Sequence, residues 1–270
     1  MKLGIIGCGN MGKAIAAGAI NSKAVDESNL YIKNYSPETT QAAAEFLNAH
    51  ACTSMAELIE KTDTIILGVK PQSLLIVLEE ISQSGADTSN TLFISIVAGT
   101  KLSTIEQQLP AHSRIIRTMP NTPTMVGEGM IAYTLSASCK QGDEATLLRL
   151  LESSASLTQV PEHLMDAVTG LSGSGPAYVY TFIESLADGA LKQGIPKAQA
   201  LELAAKTVLG SAKMVIESEL HPSVLRDQVT SPGGTTITGL AELEAQGFRN
   251  ATLKAVEAAT KRSKELGESN

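Results

Sequence analysis

Short apolar runs alternate with amphipathic stretches over residues 1–158 of the 270-residue chain. The runs are brief and do not alternate with polar residues, which is typical of strands in a parallel sheet covered on both faces. We predict seven strands, at 3–6, 30–33, 64–67, 92–97, 114–118, 130–135 and 157–160. The predicted helices between them are 14–20, 39–48, 55–61, 71–81, 102–108 and 143–152. This alternation predicts an α/β fold with a Rossmann-type doubly wound sheet.

The pattern changes after residue 158, because no further strand is evident and the periodicity becomes helical. Glycine and proline mark the boundaries of five predicted helices, at 178–193, 197–218, 223–230, 235–246 and 249–266. We therefore predict two domains, an α/β domain over 1–158 and an all-helical domain over 159–270.

The composition of the chain indicates which kinds of partner it is poorly suited to bind. The net charge is −7, aromatic residues make up 3% and tryptophan is absent, which argues against nucleic acid. The three cysteines and four histidines show no metal-ligand spacing, so no metal is expected, and the cysteines suit a reducing compartment. The apolar amino terminus is too short for a signal peptide, and no apolar stretch is long enough to span a membrane. We expect a cytoplasmic protein.

A glycine-rich turn, Gly7-Cys8-Gly9-Asn10-Met11-Gly12, follows the first strand and opens the first helix. In this context the first glycine permits a tight turn, the second lets the backbone approach a pyrophosphate, and the third allows close helix–strand packing. The helix N-terminus adds unpaired N–H groups and a positive dipole end. The motif predicts a site for a nicotinamide dinucleotide; the alternative is a glycine-rich turn without a ligand.

The end of the second predicted strand indicates which dinucleotide is bound. NAD-specific sites usually place an acid there, whereas this chain has Lys33-Asn34-Tyr35-Ser36. Asn34 and Ser36 supply neutral donors, and nothing repels a 2′-phosphate. The pattern favours NADP(H), with NAD(H) as the alternative cofactor. Asn34 and Ser36 could equally be turn residues before a capped helix.

Three more loops fall at the carboxyl ends of predicted strands, where doubly wound sheets bind ligands. The first loop is Gly68-Val69-Lys70-Pro71, and Lys70 there can reach the cofactor unless it is an ordinary surface lysine. Ala98 and Gly99 form the second loop. Asn121 lies between two prolines in the third, either to orient a ligand or as part of a structural turn.

The segment Ser231-Pro232-Gly233-Gly234-Thr235-Thr236 is an uncharged, hydroxyl-rich turn that leads into a helix. It offers backbone N–H groups, hydroxyls and the helix dipole to one spot, which suits a small carboxylate. The alternative is an elaborate helix N-cap.

Taken together, these segments resemble pyrroline-5-carboxylate reductase over nearly the whole chain, most specifically through His221-Pro222 and residues 227–236. The resemblance implies NAD(P)H-dependent reduction of a cyclic imine to L-proline. It also implies a homodimer of intertwined helical domains, or a larger ring such as a decamer. By the same resemblance, residues 231 and 233–236 hold the substrate carboxylate, Glu219 lies near the ring nitrogen, and Lys70 and Gln228 contact the cofactor. As a separate hypothesis about the mechanism, Thr236 hydrogen-bonds the ring nitrogen.

Two alternative functions compete with this one. A beta-hydroxyacid dehydrogenase also joins a dinucleotide domain to helices, but Val179 stands where that family needs its catalytic lysine. A non-catalytic NADPH sensor would not need the second anion site at residues 231–236.

Overall fold

The computed structural model describes residues 1–268. Its strands are β1 (Leu3–Ile6), β2 (Leu30–Lys33), β3 (His50–Ala51), β4 (Thr64–Leu67), β5 (Leu92–Ser95), β6 (Arg114–Met119), β7 (Gly129–Leu135) and β8 (Ala155–Gln159). Its first helices are α1 (Asn10–Asn21), α2 (Pro37–Leu47), α3 (Met55–Lys61), α4 (Pro71–Gln83), α5 (Leu102–Gln108), α6 (Asp143–Leu151) and α7 (Met165–Val168). Then follow α8 (Gly175–Lys192), α9 (Lys197–Ser218), α10 (Pro222–Gln228), α11 (Thr235–Ala245) and α12 (Phe248–Glu268).

The strands form one sheet in the order β3-β2-β1-β4-β5-β6-β7-β8. All neighbours are parallel except β6 and β7, and β1 pairs with both β2 and β4 through Leu3. The strand order reverses between β1 and β4, so a crevice opens at the carboxyl ends of these two strands. The predicted α/β class is confirmed, and β3 is an addition that the sequence pattern did not predict.

The central strands are apolar because helices cover both faces of the sheet. Every residue of β1, β4 and β5 is buried. Neighbouring residues of β1 enter different apolar clusters: Ile5 packs with Ile15 and Ile32, and Ile6 packs with Leu58 and Phe93. Successive side chains of a strand point to opposite faces, so the two clusters are the cores of the two faces.

The compact units differ from the predicted domains. The first unit comprises Met1–Ser174 together with the chain from Ala258, and the second comprises Gly175–Glu257. The predicted domain boundary at 158/159 does not coincide with the boundary between these units, because α7 packs on β7 and the π-helical turn Thr169–Gly173 continues from α7. α12 also begins in the second unit, while its last turns belong to the first.

The second unit has a small core of its own. Among its described residues, the buried apolar side chains are those of Ala187, Ala200 and Ala204 on α8 and α9. Large apolar side chains remain exposed, including Leu209 at 55% and Ile216 at 77%. Within residues 1–268, no helix is both long enough and apolar enough to cross a membrane.

Candidate active site

Gly7 makes the tight turn that connects β1 to α1. Its φ is +82°, and a Cβ at this position would lie 2.4 Å from Val69 Cγ1 and 2.7 Å from the Val69 backbone nitrogen. L-residues with a side chain rarely adopt this conformation, and the neighbour that would have to move is backbone. The structure thus gives a steric reason for the first glycine of the motif.

The second and third glycines differ in what surrounds them. A Cβ at Gly9 would meet no atom within 4 Å, so the backbone there faces open space. A Cβ at Gly12 would meet its nearest neighbour, Ile5 Cγ2, at 3.4 Å, an ordinary contact. Close packing therefore does not demand glycine at position 12, which is a correction to the role expected of the third glycine.

The start of α1 is open for an anion. Gly9 is its N-cap, and no side chain caps the helix. The first-turn N–H groups of a helix have no partner within the helix, and they carry the positive end of its dipole. With the open space beside Gly9, this arrangement fits a pyrophosphate.

A cleft of about 650 Å³ lies in front of this turn. Of the predicted cofactor residues, Gly7, Gly9, Asn34, Val69 and Lys70 line it together. Its charged lining, among the described residues, is Lys13, Lys33, Lys70 and Glu80. The excess of ammonium groups suits a phosphate-bearing ligand, although the whole chain is acidic.

Asn34 connects three parts of the cleft. Its Oδ1 accepts a hydrogen bond from Cys8 N at 2.6 Å, and its Nδ2 donates to the Thr39 carbonyl oxygen at 2.9 Å. Ser36 caps α2, since its Oγ accepts from Thr39 N at 3.2 Å. Both side chains thus have structural partners: Asn34 holds the glycine turn against the start of α2, and Ser36 performs the capping role left open above.

The loops at the ends of β4 to β6 occupy different places. Lys70 is the N-cap of α4 and makes no capping hydrogen bond. Ala98, Gly99 and Pro71 line a neighbouring cavity of about 440 Å³. Asn121 Oδ1 accepts from Met130 N at 2.9 Å, which ties its loop to β7 and supports the structural alternative for this residue.

Cys8 lies inside the glycine turn, but its thiol is a poor nucleophile. It is 3% exposed, and burial raises the pKa of its thiol to about 11, despite the opposing charge of Lys13. A thiol with this pKa is protonated near neutral pH and is a poor nucleophile.

No group of His, Cys, Asp or Glu suited to hold a metal occurs within residues 1–268.

In the second unit, the turn at residues 231–236 leads into α11. Gly233 has a φ of +68°, and Gly234 N donates to the Ser231 carbonyl oxygen at 3.1 Å. Gly234 is the N-cap, and no side chain caps the helix. The hydroxyls of Ser231, Thr235 and Thr236 have no hydrogen-bond partner in the part of the chain that the structure describes. These hydroxyls are not used for capping, so the geometry favours the anion receptor over the N-cap alternative.

Two other residues that the resemblance implicated also lie in the second unit. Glu219 ends α9 in the left-handed conformation, with a φ of 56°, and is exposed. Gln228 is the last residue of α10 and is exposed. His221 caps α10, because its Nδ1 accepts from Ser223 N at 3.3 Å.

Three further residues contribute to the cleft, and sequence reasoning missed the first of them. Lys13 lies in the first turns of α1, with its Nζ 4.8 Å from the centroid of the Phe46 ring. Lys33 Nζ donates to the Asn34 carbonyl oxygen at 2.9 Å. A Cβ at Gly68 would lie 2.9 Å from the Gly7 carbonyl oxygen, so β4 approaches the turn closely. The position of Lys13 directly after the motif was the available signal for the first of these.

Comparison with known proteins agrees with this geometry. Residues 162–266 match the family model described as pyrroline-5-carboxylate reductase dimerisation, and residues 2–99 match that of NADP oxidoreductase coenzyme F420-dependent. Pyrroline-5-carboxylate reductase from Methanosarcina acetivorans is 43% identical over 98% of each chain. The Escherichia coli K12 protein of the same name is 40% identical over 99% of each chain.

A solved structure agrees as well. The crystal structure of Plasmodium falciparum pyrroline carboxylate reductase with NADP bound superposes with a TM-score of 0.88 at 35% identity. The match covers 99% of this chain and 98% of that one. The glycine turn, the lysine-lined cleft and the uncapped hydroxyl-rich turn thus occur in a chain that belongs to the pyrroline-5-carboxylate reductase family.

Proposed function

We propose that this protein reduces L-1-pyrroline-5-carboxylate to L-proline with a nicotinamide dinucleotide as hydride donor, the last step of proline biosynthesis. The observation that carries the proposal is the turn at residues 231–236. An uncapped helix N-terminus and three unpartnered hydroxyls suit a substrate whose only anionic group is a carboxylate. The cleft at Gly7 and Gly9 suits the pyrophosphate of the cofactor, and Val69, Lys70 and Pro71 flank it.

The proposed reaction does not require a strong general acid from the protein. The bound cofactor supplies the hydride, and the ring nitrogen of the imine takes its proton from solution before reduction. The turn orients the ring through its carboxylate, with donors from Ser231, Gly233 and Thr235. Gly234 shapes the turn, because its N–H donates to the Ser231 carbonyl oxygen. Thr236 Oγ accepts a hydrogen bond from the N–H of the protonated imine. Glu219 is assigned on family resemblance as a further group near that nitrogen.

Thr236 provides a test of this arrangement. Thr236→Val keeps the shape but removes the hydroxyl, so we expect kcat/KM for the imine to fall about tenfold, the effect of losing a hydrogen bond to a charged group. Thr236→Ser keeps the hydroxyl and should retain most of the activity. If Thr236→Val stays within about twofold of the wild type, the hydroxyl has no such role.

The activity itself is tested by following NADPH absorbance at 340 nm after addition of pyrroline-5-carboxylate, with proline measured as the product. We expect stoichiometric loss of NADPH and formation of proline. Binding of NADPH without turnover of any cyclic imine would instead favour the sensor alternative.

We infer further that NADP(H) is preferred over NAD(H). The inference rests on the absence of a carboxylate in the Lys33-Asn34-Tyr35-Ser36 segment and on the ammonium groups of Lys13 and Lys33 in the cleft. The adenosine 2′-phosphate would lie at the end of β2, where NAD-specific sites carry an acid.

Asn34→Asp should reverse this preference. A carboxylate repels the 2′-phosphate, so we expect the ratio of kcat/KM for NADPH to that for NADH to fall by at least about tenfold. The introduced carboxylate could still accept from Cys8 N but could not donate to the Thr39 carbonyl oxygen. Asn34→Ala is the matched control, because it removes both hydrogen bonds without adding charge. An equal change of the ratio in both variants would contradict the electrostatic explanation.

We propose that the protein is a homodimer through its helical unit, or a larger ring such as a decamer built from dimers. The small alanine core of that unit and its exposed apolar side chains, such as Leu209 and Ile216, support this assembly. A second copy can bury this surface without introducing charge. Light scattering should give at least twice the chain mass of 28.3 kDa; a monomer at micromolar concentration would contradict the proposal.

A further inference from the structure

The last turns of α12 are part of the first unit, and one serine fixes them there. Ser263 is 4% exposed, although Arg262 and Lys264 on either side of it are exposed. Its Oγ donates to Asp166 Oδ1 on α7 at 2.7 Å. A buried hydroxyl needs such a partner, so this hydrogen bond specifies where the end of the helix lies.

A second contact brings this segment against the loop that follows β5. A Cβ at Gly267 would lie 2.7 Å from the Gly99 carbonyl oxygen, so the two backbones approach too closely for any side chain at 267. Leu266 Cβ lies 3.8 Å from the position of a Cβ at Gly99. The helix end therefore touches a predicted cofactor loop directly.

The end of the same loop, where α5 begins at Leu102, is held from the segment that precedes α7. Glu162 Oε1 accepts from Leu102 N at 2.6 Å and from Arg117 Nη1 at 3.0 Å. Arg117 is 4% exposed, so this ion pair is well shielded on the arginine side. Glu162 and Asp166 are four residues apart; the first carboxylate holds the loop and the second holds the end of α12.

These contacts border the cavity of about 440 Å³ that Ala98, Gly99, Ser263 and Leu266 line together. In a doubly wound sheet the adenosine half of a dinucleotide lies over the β1–β2 side, and the nicotinamide half lies over the β4–β5 side. The loop after β5 is thus on the nicotinamide side. Its shape depends on the end of α12.

We propose that the inner face of the end of α12, formed by Ala259, Ser263 and Leu266, is the wall that positions the nicotinamide half of the cofactor. Ser263, Asp166 and Gly267 act as its positioning residues. The inference rests on the proposed use of a nicotinamide dinucleotide but not on the identity of the substrate. Moving the end of α12 would shift Gly99 and leave the glycine turn at Gly7 in place. The affinity for the nicotinamide half should then change separately from that for the adenosine half.

The experiment compares two ligands, NADPH and ADP-ribose 2′-phosphate, which lacks the nicotinamide. Their dissociation constants are measured by calorimetry on the full-length protein. We expect Gly267→Ala to weaken NADPH binding about tenfold and to change the affinity for the fragment by less than about twofold. Ser263→Ala should act in the same direction by about fivefold, as for a lost buried hydrogen bond.

Controls separate positioning from general destabilisation. Asp166→Asn keeps an oxygen acceptor for Ser263 and should restore the NADPH affinity that Asp166→Ala loses. Lys264→Ala, on the exposed side of the same turn, should leave both ligands unaffected. Equal weakening of both ligands, or of neither, in Gly267→Ala and Ser263→Ala would overturn the proposal; Ser263→Ala decides if Gly267→Ala does not fold.

The two proposals fail in different ways. A protein that binds NADPH in this selective manner but reduces no cyclic imine would contradict the proposed substrate and leave the positioning wall standing. A protein that reduces the imine but shows no difference between the two ligands in these variants would contradict the wall alone.

Discussion

Gly7→Ala is expected to abolish most NADPH binding. The methyl group would have to occupy a left-handed backbone conformation, at a cost of about 1–2 kcal/mol, and would lie 2.7 Å from Val69 N. The turn can relieve this strain only by moving the backbone that surrounds the pyrophosphate. A total loss of about 2 kcal/mol corresponds to roughly thirtyfold in affinity.

The measurement is a fluorescence titration of NADPH together with a melting curve. Gly12→Ala is the matched comparison, because it lies in the same motif but would make only ordinary contacts, and alanine favours helix. We expect a clearly smaller loss of affinity in Gly12→Ala. Similar losses in the two variants would show that strain at Gly7 is not what the motif requires.

Gly233→Ala is expected to impair the use of the imine while leaving NADPH binding intact. With a φ of +68°, position 233 favours glycine, and relaxation to negative φ would redirect the N–H groups that converge on the carboxylate. The strain of about 1–2 kcal/mol predicts a fall in kcat/KM for pyrroline-5-carboxylate of about tenfold.

Gly233→Asn supplies the control for this prediction. Asparagine visits the left-handed region more readily than alanine, so it should recover part of the lost kcat/KM. Steady-state kinetics with varied imine and a separate NADPH titration distinguish the two ligands. A parallel loss of NADPH affinity, or an asparagine variant as poor as the alanine one, would argue against a carboxylate turn at this position.

The strands were predictable where short apolar runs are bounded by glycine or by polar residues. The predicted bounds of β1, β2 and β4 agree with the structure residue for residue. β3 was missed because a strand of two residues has no periodicity; it exists because His50 pairs with Tyr31 of β2. Pairing between distant segments is not visible in local pattern.

The boundary between the two compact units was harder to predict from the sequence. The π-helical turn at Thr169–Gly173 is helical by composition, yet its hydrogen bond from Ser174 N to the Thr169 carbonyl oxygen gives no sequence signal. α12 presents one continuous helical pattern, and periodicity cannot tell that Ser263 faces Asp166. Which unit a helix packs on depends on tertiary contacts rather than propensity.

The expectations for the candidate site that agree most directly with the backbone are those at positions where the conformation limits the residue type. Gly7 and Gly233 both occupy positive φ, and glycine in a motif is the sequence signature of that conformation. Side-chain roles were harder: Asn34 was expected to offer donors to the cofactor, whereas its amide is engaged by Cys8 N and the Thr39 carbonyl. Amide groups bind backbone and ligand equally well, so only coordinates separate the two roles.

The buried thiol of Cys8 has a consequence for an enzyme that consumes reducing equivalents. With a pKa of about 11, on the order of one molecule in ten thousand carries a thiolate at pH 7. Peroxide and alkylating agents attack the thiolate, so we expect Cys8 to react with them more slowly than a solvent-exposed cysteine does.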